Sequence, residues 1–298
     1  MDGEYAVMRF DGAVKLLPLS LRGDIRGLAR EQRRCCEEIR IRAGRVPTAV
    51  ICGEEVPFSD RRCTKNDLEI LMDMATGASF HTAQNSIKNG FITVSGGYRI
   101  GIGGTAVMQN GIVSGFRNIS SAAERISREI IGVSDGIVGS VRNGGDILSV
   151  LLVSPPGGGK TTLLRDLVRN ISDSGVRVTV IDERSEIAAL SGSVPQFDVG
   201  GHTDVIEGCP KSLGIGMALR SLNPQVLAID EITDERDARA LITADRCGVK
   251  FIASAHGGSR EDLERRPIYK KLMEAGVFGK IVYIKYNGKN RVYTAEEA

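Results

Sequence analysis

No stretch of this 298-residue chain holds the roughly 20 consecutive apolar residues that a bilayer-spanning helix requires. The longest apolar run, Val150 to Val153 with Ile147 and Leu148 just before it, has the length of a strand. Met1 to Phe10 carries Asp2, Glu4 and Arg9 and lacks a continuous apolar segment, so it does not read as a secretory signal. Charge of one sign is also missing. Lysine and arginine (39) nearly balance aspartate and glutamate (37), so no uniform field exists to hold nucleic acid or an acidic membrane. Six cysteines are present but none forms a C-x-x-C pair, and only three histidines stand by as co-ligands, which argues against zinc and for reduced thiols. No internal repeat or low-complexity tract interrupts the chain. The expectation is a cytoplasmic globular protein that neither spans a membrane nor binds nucleic acid.

What is present falls into two halves, placed at residues 1–118 and 119–298. In the first, Glu38 to Arg42 alternates charged and apolar residues and Thr48 to Cys52 is β-branched and apolar, the pattern of paired strands. Thr64 is placed to cap a helix whose Leu68, Leu71, Met72 and Ala75 share one face. Strands are expected again at Gly90 to Ser95 and Tyr98 to Ile102, joined by Gly96-Gly97, which supply the positive φ angles of a two-residue hairpin turn. A small α+β domain results. Ala122 to Ile131 reads as a helix, followed by a glycine-punctuated bridge. Beyond Asp146, strand candidates at 148–153, 177–181, 226–229, 250–253 and 280–286 alternate with helical segments at 160–172 and 209–222, the crossover pattern of a parallel sheet.

The chemistry begins where Leu148 to Val153 runs into Ser154-Pro155-Pro156-Gly157-Gly158-Gly159-Lys160-Thr161-Thr162 and then the apolar-faced segment from Leu163. Strand, glycine-rich loop and helix in that order are the context of G-x-x-x-x-G-K-[ST], a phosphate-binding loop. The glycines let backbone N–H groups converge on a phosphate, and the helix beginning at Lys160 turns its positive end to the same oxygens. Lys160 is expected to reach the β- and γ-phosphates of ATP and the Thr161 hydroxyl to face Mg²⁺. Ser154 stands where the pattern has glycine, a position that Pro155-Pro156 already restrain.

Hydrolysis further needs an acid for magnesium and a base for water. Val226 to Ile229 ends in Asp230-Glu231, and such strand ends open onto the ligand crevice of a parallel sheet. Asp230 suits the magnesium shell. Glu231, projecting differently along an extended segment, suits the attacking water. A second acidic strand end, Ile181-Asp182-Glu183-Arg184-Ser185-Glu186, is expected to face the crevice beside the P-loop strand. A third strand ends in His256, placed to sense a γ-phosphate.

In this order the segments resemble the secretion ATPases, hexameric motors of type II and type IV secretion and of type IV pili. Ile181 to Glu186 is similar to that family's acidic box, with Glu186 at its final glutamate; Leu219-Arg220 through Asp234 to its Walker B region, with Asp230 for the usual glycine; and Ala253-Ser254-Ala255-His256 to its histidine box. Glu38 to Pro47 and Gly97-Tyr98-Arg99-Ile100-Gly101 are similar to strands of its N-terminal domain. The resemblance implies an α/β fold with a RecA-like P-loop ATPase core and a smaller α+β N-terminal domain. It also implies an ATP- and Mg²⁺-dependent homo-hexamer docked on a membrane-embedded platform protein, with arginines from a neighbouring subunit (Arg99, Arg117 and Arg125 by position) completing the γ-phosphate pocket. Both Glu186 and Glu231 have a claim to be the base. Asp182 to Ile187 and His202 to Lys211 are most similar to a sporulation branch, which implies a motor serving the mother cell to forespore channel of an endospore-forming bacterium. Two other readings stand beside it. One is a nucleic-acid-handling ATPase gripping phosphates through Arg30, Arg33, Arg34, Arg40 and Arg42; the other is a scaffold that binds ATP and scarcely hydrolyses it.

Overall fold

A computed structural model describes residues 3–77, 87, 90–287 and 290–298. The chain divides into two compact units: Met1–Arg128 with Leu190–Gln196, and Glu129–Ala189 with Phe197–Ala298. The second unit thus lends a short hairpin, Leu190–Ser191 paired with Val194–Pro195, to the first.

The first unit opens with helices α1 (Gly3–Val14), α2 (Leu19–Arg26) and α3 (Arg30–Cys35). Strands β1 (Cys36–Arg42), β2 (Thr48–Ile51) and β3 (Glu54–Pro57) follow, then helix α4 (Lys65–Thr76) and strands β4 (Phe91–Val94), β5 (Tyr98–Gln109) and β6 (Ile112–Arg125). The strands form one antiparallel sheet in the order β3-β2-β1-β6-β5-β4. Local signals explain most of it. Thr64 Oγ1 accepts from the Asp67 N–H while Asp67 accepts from the Thr64 N–H, a reciprocal cap worth roughly 1 kcal/mol. Gly96 and Gly97 turn between β4 and β5 with φ of 85° and 71°. The alternation in β1 buries Ile39 and Ile41 against α1 and α2 residues Phe10, Leu21 and Ile25, and leaves Glu38 to bind Arg40 and Arg125.

The expected helix at Ala122 to Ile131 is absent, because β6 runs unbroken to Arg125, and the first compact unit extends through Arg128. Sheet pairing overrides the helical propensity of Ala-Ala-Glu-Arg: Ala123 opposes Arg40 and Gly101, and Glu124 opposes Ile39 and Ile100. This places Glu124 on the apolar face, 1% exposed, with neither carboxylate oxygen hydrogen-bonded. Burial therefore holds its pKa well above the ordinary 4.5. A raised folded-state pKa means that stability is fully present below about pH 4.5 and is lost as pH climbs toward the folded value. In urea unfolding, Glu124→Gln is expected to gain on the wild type by about 1–3 kcal/mol as pH rises from 5 to 8. A gap that stays constant with pH would exclude an ionisable Glu124 as its source.

Of the five arginines weighed as a nucleic-acid surface, Arg30, Arg34 and Arg42 pair with Glu4, Glu31 and Glu55, and Arg40 pairs with Glu38. These four carry matched charge, whereas Arg33 of α3 pairs with no carboxylate among the described residues and its buried Nε has no hydrogen-bond partner there.

The second unit begins with a looped segment containing the small ladder β7 (Arg142–Asn143) and β8 (Asp146–Ile147). Asp166 anchors this segment, accepting from the Gly132 and Ser134 amides at 3.1 and 2.7 Å. A seven-stranded sheet follows. It comprises β9 (Val150–Ser154), β10 (Val178–Asp182), β13 (Thr203–Glu207), β14 (Val226–Glu231), β15 (Lys250–His256), β16 (Lys280–Asn287) and β17 (Asn290–Glu297), the labels β11 and β12 falling to the lent hairpin. Its order is β13-β10-β14-β15-β9-β16-β17, parallel except for the final β16–β17 hairpin. β9 and β10 are buried at every position, as strands covered on both faces must be. Helix α5 (Lys160–Asp173) packs Leu163, Leu164, Leu167 and Val168 against one face. Helices α6 (Lys211–Ser221), α7 (Glu235–Arg246), α8 (Arg260–Glu264) and α9 (Pro267–Glu274) supply Ile215, Leu241, Leu263 and Leu272 to the other. The neighbours of β9 are β15 and β16, so β10 is not beside the P-loop strand as expected. The crossover from β9 skips the two positions that β14 and β15 fill.

Candidate active site

Ser154 ends β9 and is fully buried, and the chain then turns through Pro155 to Gly159 into α5. The turn closes on itself, the Gly158 N–H donating to the Pro155 carbonyl at 3.1 Å. Gly157 and Gly159 take φ of 74° and 93°, which side chains resist. The departure from glycine at Ser154 is absorbed by Gly158, where an added Cβ would lie 2.2 Å from the Ser154 hydroxyl. Gly158→Ala is therefore expected to weaken nucleotide binding by about 1–3 kcal/mol, and Ser154→Gly in the same chain to recover part of the loss. A nucleotide titration that finds the two changes strictly additive would remove this coupling.

Lys160, 7% exposed, folds back over the loop, donating to the Ser154 carbonyl at 3.3 Å and lying 2.7 Å from His256 Nδ1. Burial pushes its ammonium below the usual range, while Glu231 and Asp230 pull it back. Parallel pairing of β15 with β9 sets His256 opposite Ser154, which is why the ring meets the lysine. Its Nε2 lies 2.9 Å from Glu231 Oε2, giving a continuous chain from Lys160 through His256 to Glu231. Since Lys160 carries only donors, Nδ1 accepts and Nε2–H donates to the carboxylate. Arg266 donates to the His256 carbonyl at 2.6 Å and fixes the end of β15.

The β14–β15 register shifts between Ile229 and Glu231, leaving Asp230 as an extra residue. Such a bulge interrupts strict alternation, and both carboxylates act on Lys160. Asp230 also accepts from Ser254 Oγ at 3.1 Å.

The second acidic strand end behaves differently. Asp182, expected to face the crevice, is 1% exposed and turns into the protein, its carboxylate taking the amides of Glu186, Ile187, Ala188 and Ala189 at 2.8–3.3 Å. Desolvation raises its pKa despite those four donors. Its position is structural: it shapes the turn that follows β10. Arg165 of α5 grips the same turn through the carbonyls of Ile187 and Glu186 at 2.7 and 2.6 Å. Glu183 pairs with the buried Lys211. Thr161 and Thr162 sit half-buried in the first turn of α5.

The three N-terminal arginines belong to the first unit, where Arg99 lies 3.7 Å from the centre of the Phe91 ring and Arg125 binds Glu38 at 3.3 Å. Arg117 is exposed on β6. One residue at the loop escaped sequence reasoning. Arg291, on the last strand, lies against Gly159; it follows the P-loop by more than a hundred residues at no motif spacing.

Residues 10–294 match the family described as "Sporulation stage III, protein AA". The stage III sporulation protein AA of Bacillus subtilis is 36% identical over 270 residues, 89% of this chain and 87% of that protein. An uncharacterized protein ycf45 of Porphyra purpurea is 30% identical over 73% of this chain and 41% of its own. Among solved structures, the Legionella pneumophila ATPase DotB superposes with a TM-score of 0.57 at 16% identity, covering 90% of this chain and 79% of that one. The pilus retraction motor PilT with bound ADP gives 0.60 at 17%, covering 87% and 78%. These likenesses give the chain the RecA-like P-loop ATPase fold that it shares with DotB and PilT. Taken with the family match along nearly the whole sequence, they establish that the chain belongs to the sporulation stage III protein AA family.

Proposed function

We propose that this protein is an ATP-hydrolysing motor of a secretion-like apparatus, powering the mother cell to forespore channel during endospore formation. The observation that carries the proposal is the Lys160–His256–Glu231 chain at the mouth of the phosphate loop. It joins the group that grips a γ-phosphate to the group that readies water.

The residues fit a Mg²⁺-bound triphosphate. Helix α5 begins without a side-chain cap, so its first amides are open to an anion. Lys160 is a buried cation among carbonyls and an imidazole. Thr161 and Asp230 are the residues to hold Mg²⁺, which when bound neutralises phosphate charge. The backbone of Pro155 to Gly159 cradles the phosphates and Lys160 leaves His256 for the γ-phosphoryl oxygens. Glu231 accepts a proton from water as its oxygen bonds to the γ-phosphorus and the bond to the bridging β,γ-oxygen breaks, releasing ADP and phosphate. His256, relieved of Lys160, reports the phosphate to Glu231 through its second nitrogen.

In a homo-hexamer an arginine from the neighbouring subunit completes the charge around the γ-phosphate. Arg117 suits this role better than Arg99 or Arg125, because among the described residues it is exposed and engages neither ring nor carboxylate. The partner at the membrane in this reading is a membrane-embedded platform protein; no helix among the described residues is itself long and apolar enough to cross a membrane. ATP turnover measured against protein concentration tests this reading: specific activity is expected to fall on dilution. Activity that is independent of concentration would reject a site shared between subunits. Stimulation by single-stranded DNA or RNA would instead support a nucleic-acid-handling ATPase.

A further inference from the structure

The last strand brings a second cation to the phosphate loop. β16 runs parallel to β9, with Tyr283 opposite Val153. It continues past that level, and β17 returns with Arg291 opposite Tyr286. Three residues of extended chain carry the hairpin roughly 10 Å beyond the end of the shared ladder, and this is the side on which the loop opens. There the guanidinium packs on Gly159 so closely that an added Cβ would stand 2.8 Å from its Cζ, 2.9 Å from Nε and 3.0 Å from one terminal nitrogen.

Two features make this placement informative. Among the described residues, the hydrogen bond that holds Arg291 is a weak one, 3.4 Å from Nε to the Tyr286 hydroxyl, and no carboxylate pairs with it. A guanidinium against the first turn of α5 also opposes the helix dipole, whose positive end favours anions. Arg291, Lys160 and the helix end together concentrate positive charge, and the nearby Glu231 and Asp230 carboxylates act on Lys160, while among the described residues no carboxylate pairs with Arg291. An anion between them converts mutual repulsion into shared attraction.

We propose that Arg291 is a phosphate-contacting residue of the same subunit, donating to the nucleotide's phosphate oxygens from the side opposite His256. The inference rests on the P-loop binding a nucleotide, as proposed above. The planar fork suits two oxygens at once. Gly159 is then glycine for two reasons: its backbone conformation and the arginine lying over it.

The test is equilibrium titration of the full-length protein with fluorescent ADP and a fluorescent non-hydrolysable ATP analogue in Mg²⁺, comparing wild type, Lys160→Ala, Arg291→Ala and Arg291→Gln. Both Arg291 variants are expected to bind about 10- to 100-fold more weakly, with melting temperatures unchanged because the side chain sits on an edge strand. Arg291→Lys is expected to recover only part of the loss. If Lys160→Ala loses binding while both Arg291 variants stay within twofold of wild type, Arg291 has no such role. If Lys160→Ala binds like wild type, the P-loop reading itself fails.

Discussion

Replacing Lys160 with alanine is expected to lower ATP turnover by about 10²- to 10³-fold or more and to leave the protein folded. The first part follows from position: Lys160 is the cation that folds over the loop, and among the described residues its ammonium has no carboxylate of its own but only carbonyl and imidazole partners that it can exchange for phosphate. The second follows from burial. An ammonium depressed by desolvation contributes an unfavourable solvation term to folding, so its removal offsets the lost contacts and a thermal melt should show little change. A purified, folded Lys160→Ala protein with turnover near that of wild type would remove the assignment of the site.

Glu231→Gln carries the second large effect. Glutamine retains the shape and still accepts the hydrogen bond from His256 Nε2, but it cannot take a proton from water. Turnover is expected to drop about 10²- to 10⁴-fold while nucleotide affinity holds. Glu186→Gln is the informative comparison. Glu186 lies in the turn after β10, which its amide and carbonyl help hold through Asp182 and Arg165, whereas it is the Glu231 carboxylate itself that is joined to Lys160 through one imidazole. The loss in Glu186→Gln should be markedly smaller. Equal losses in the two variants would contradict Glu231 as the base.

Where the sequence was informative, the reason is local. The phosphate loop is contiguous, and its glycines, lysine and flanking apolar runs can be read without knowledge of the rest of the chain. The buried strands β9, β10, β14 and β15 declare themselves as apolar runs because a doubly covered parallel strand has no polar face. Gly96-Gly97 and the Thr64 cap are equally local. Three features were hidden for identifiable reasons. β6 carries Glu124 on its inward face, and a charged residue at a buried position disguises the two-residue alternation of Ala122, Glu124 and Ile126. The inward turn of Asp182 depends on four amides that follow it, not on its own side-chain type. Arg291 reaches the loop only because β16 and β17 complete the sheet edge beside β9, a long-range pairing that no short window records.

The hairpin at 190–196 has a practical consequence for taking the molecule apart. The backbone passes between the units three times, after Arg128, Ala189 and Gln196, so neither can be excised whole with a single cut. A fragment starting at Glu129 keeps Gln196 but deletes Gly96, whose N–H donates to the Gln196 side chain at 2.5 Å. It would expose a stranded ribbon and invite aggregation. Expression of the second unit alone calls for a short glycine-serine bridge in place of Leu190 to Gln196, and a truncation that ignores this would report insolubility where it meant to report nucleotide binding.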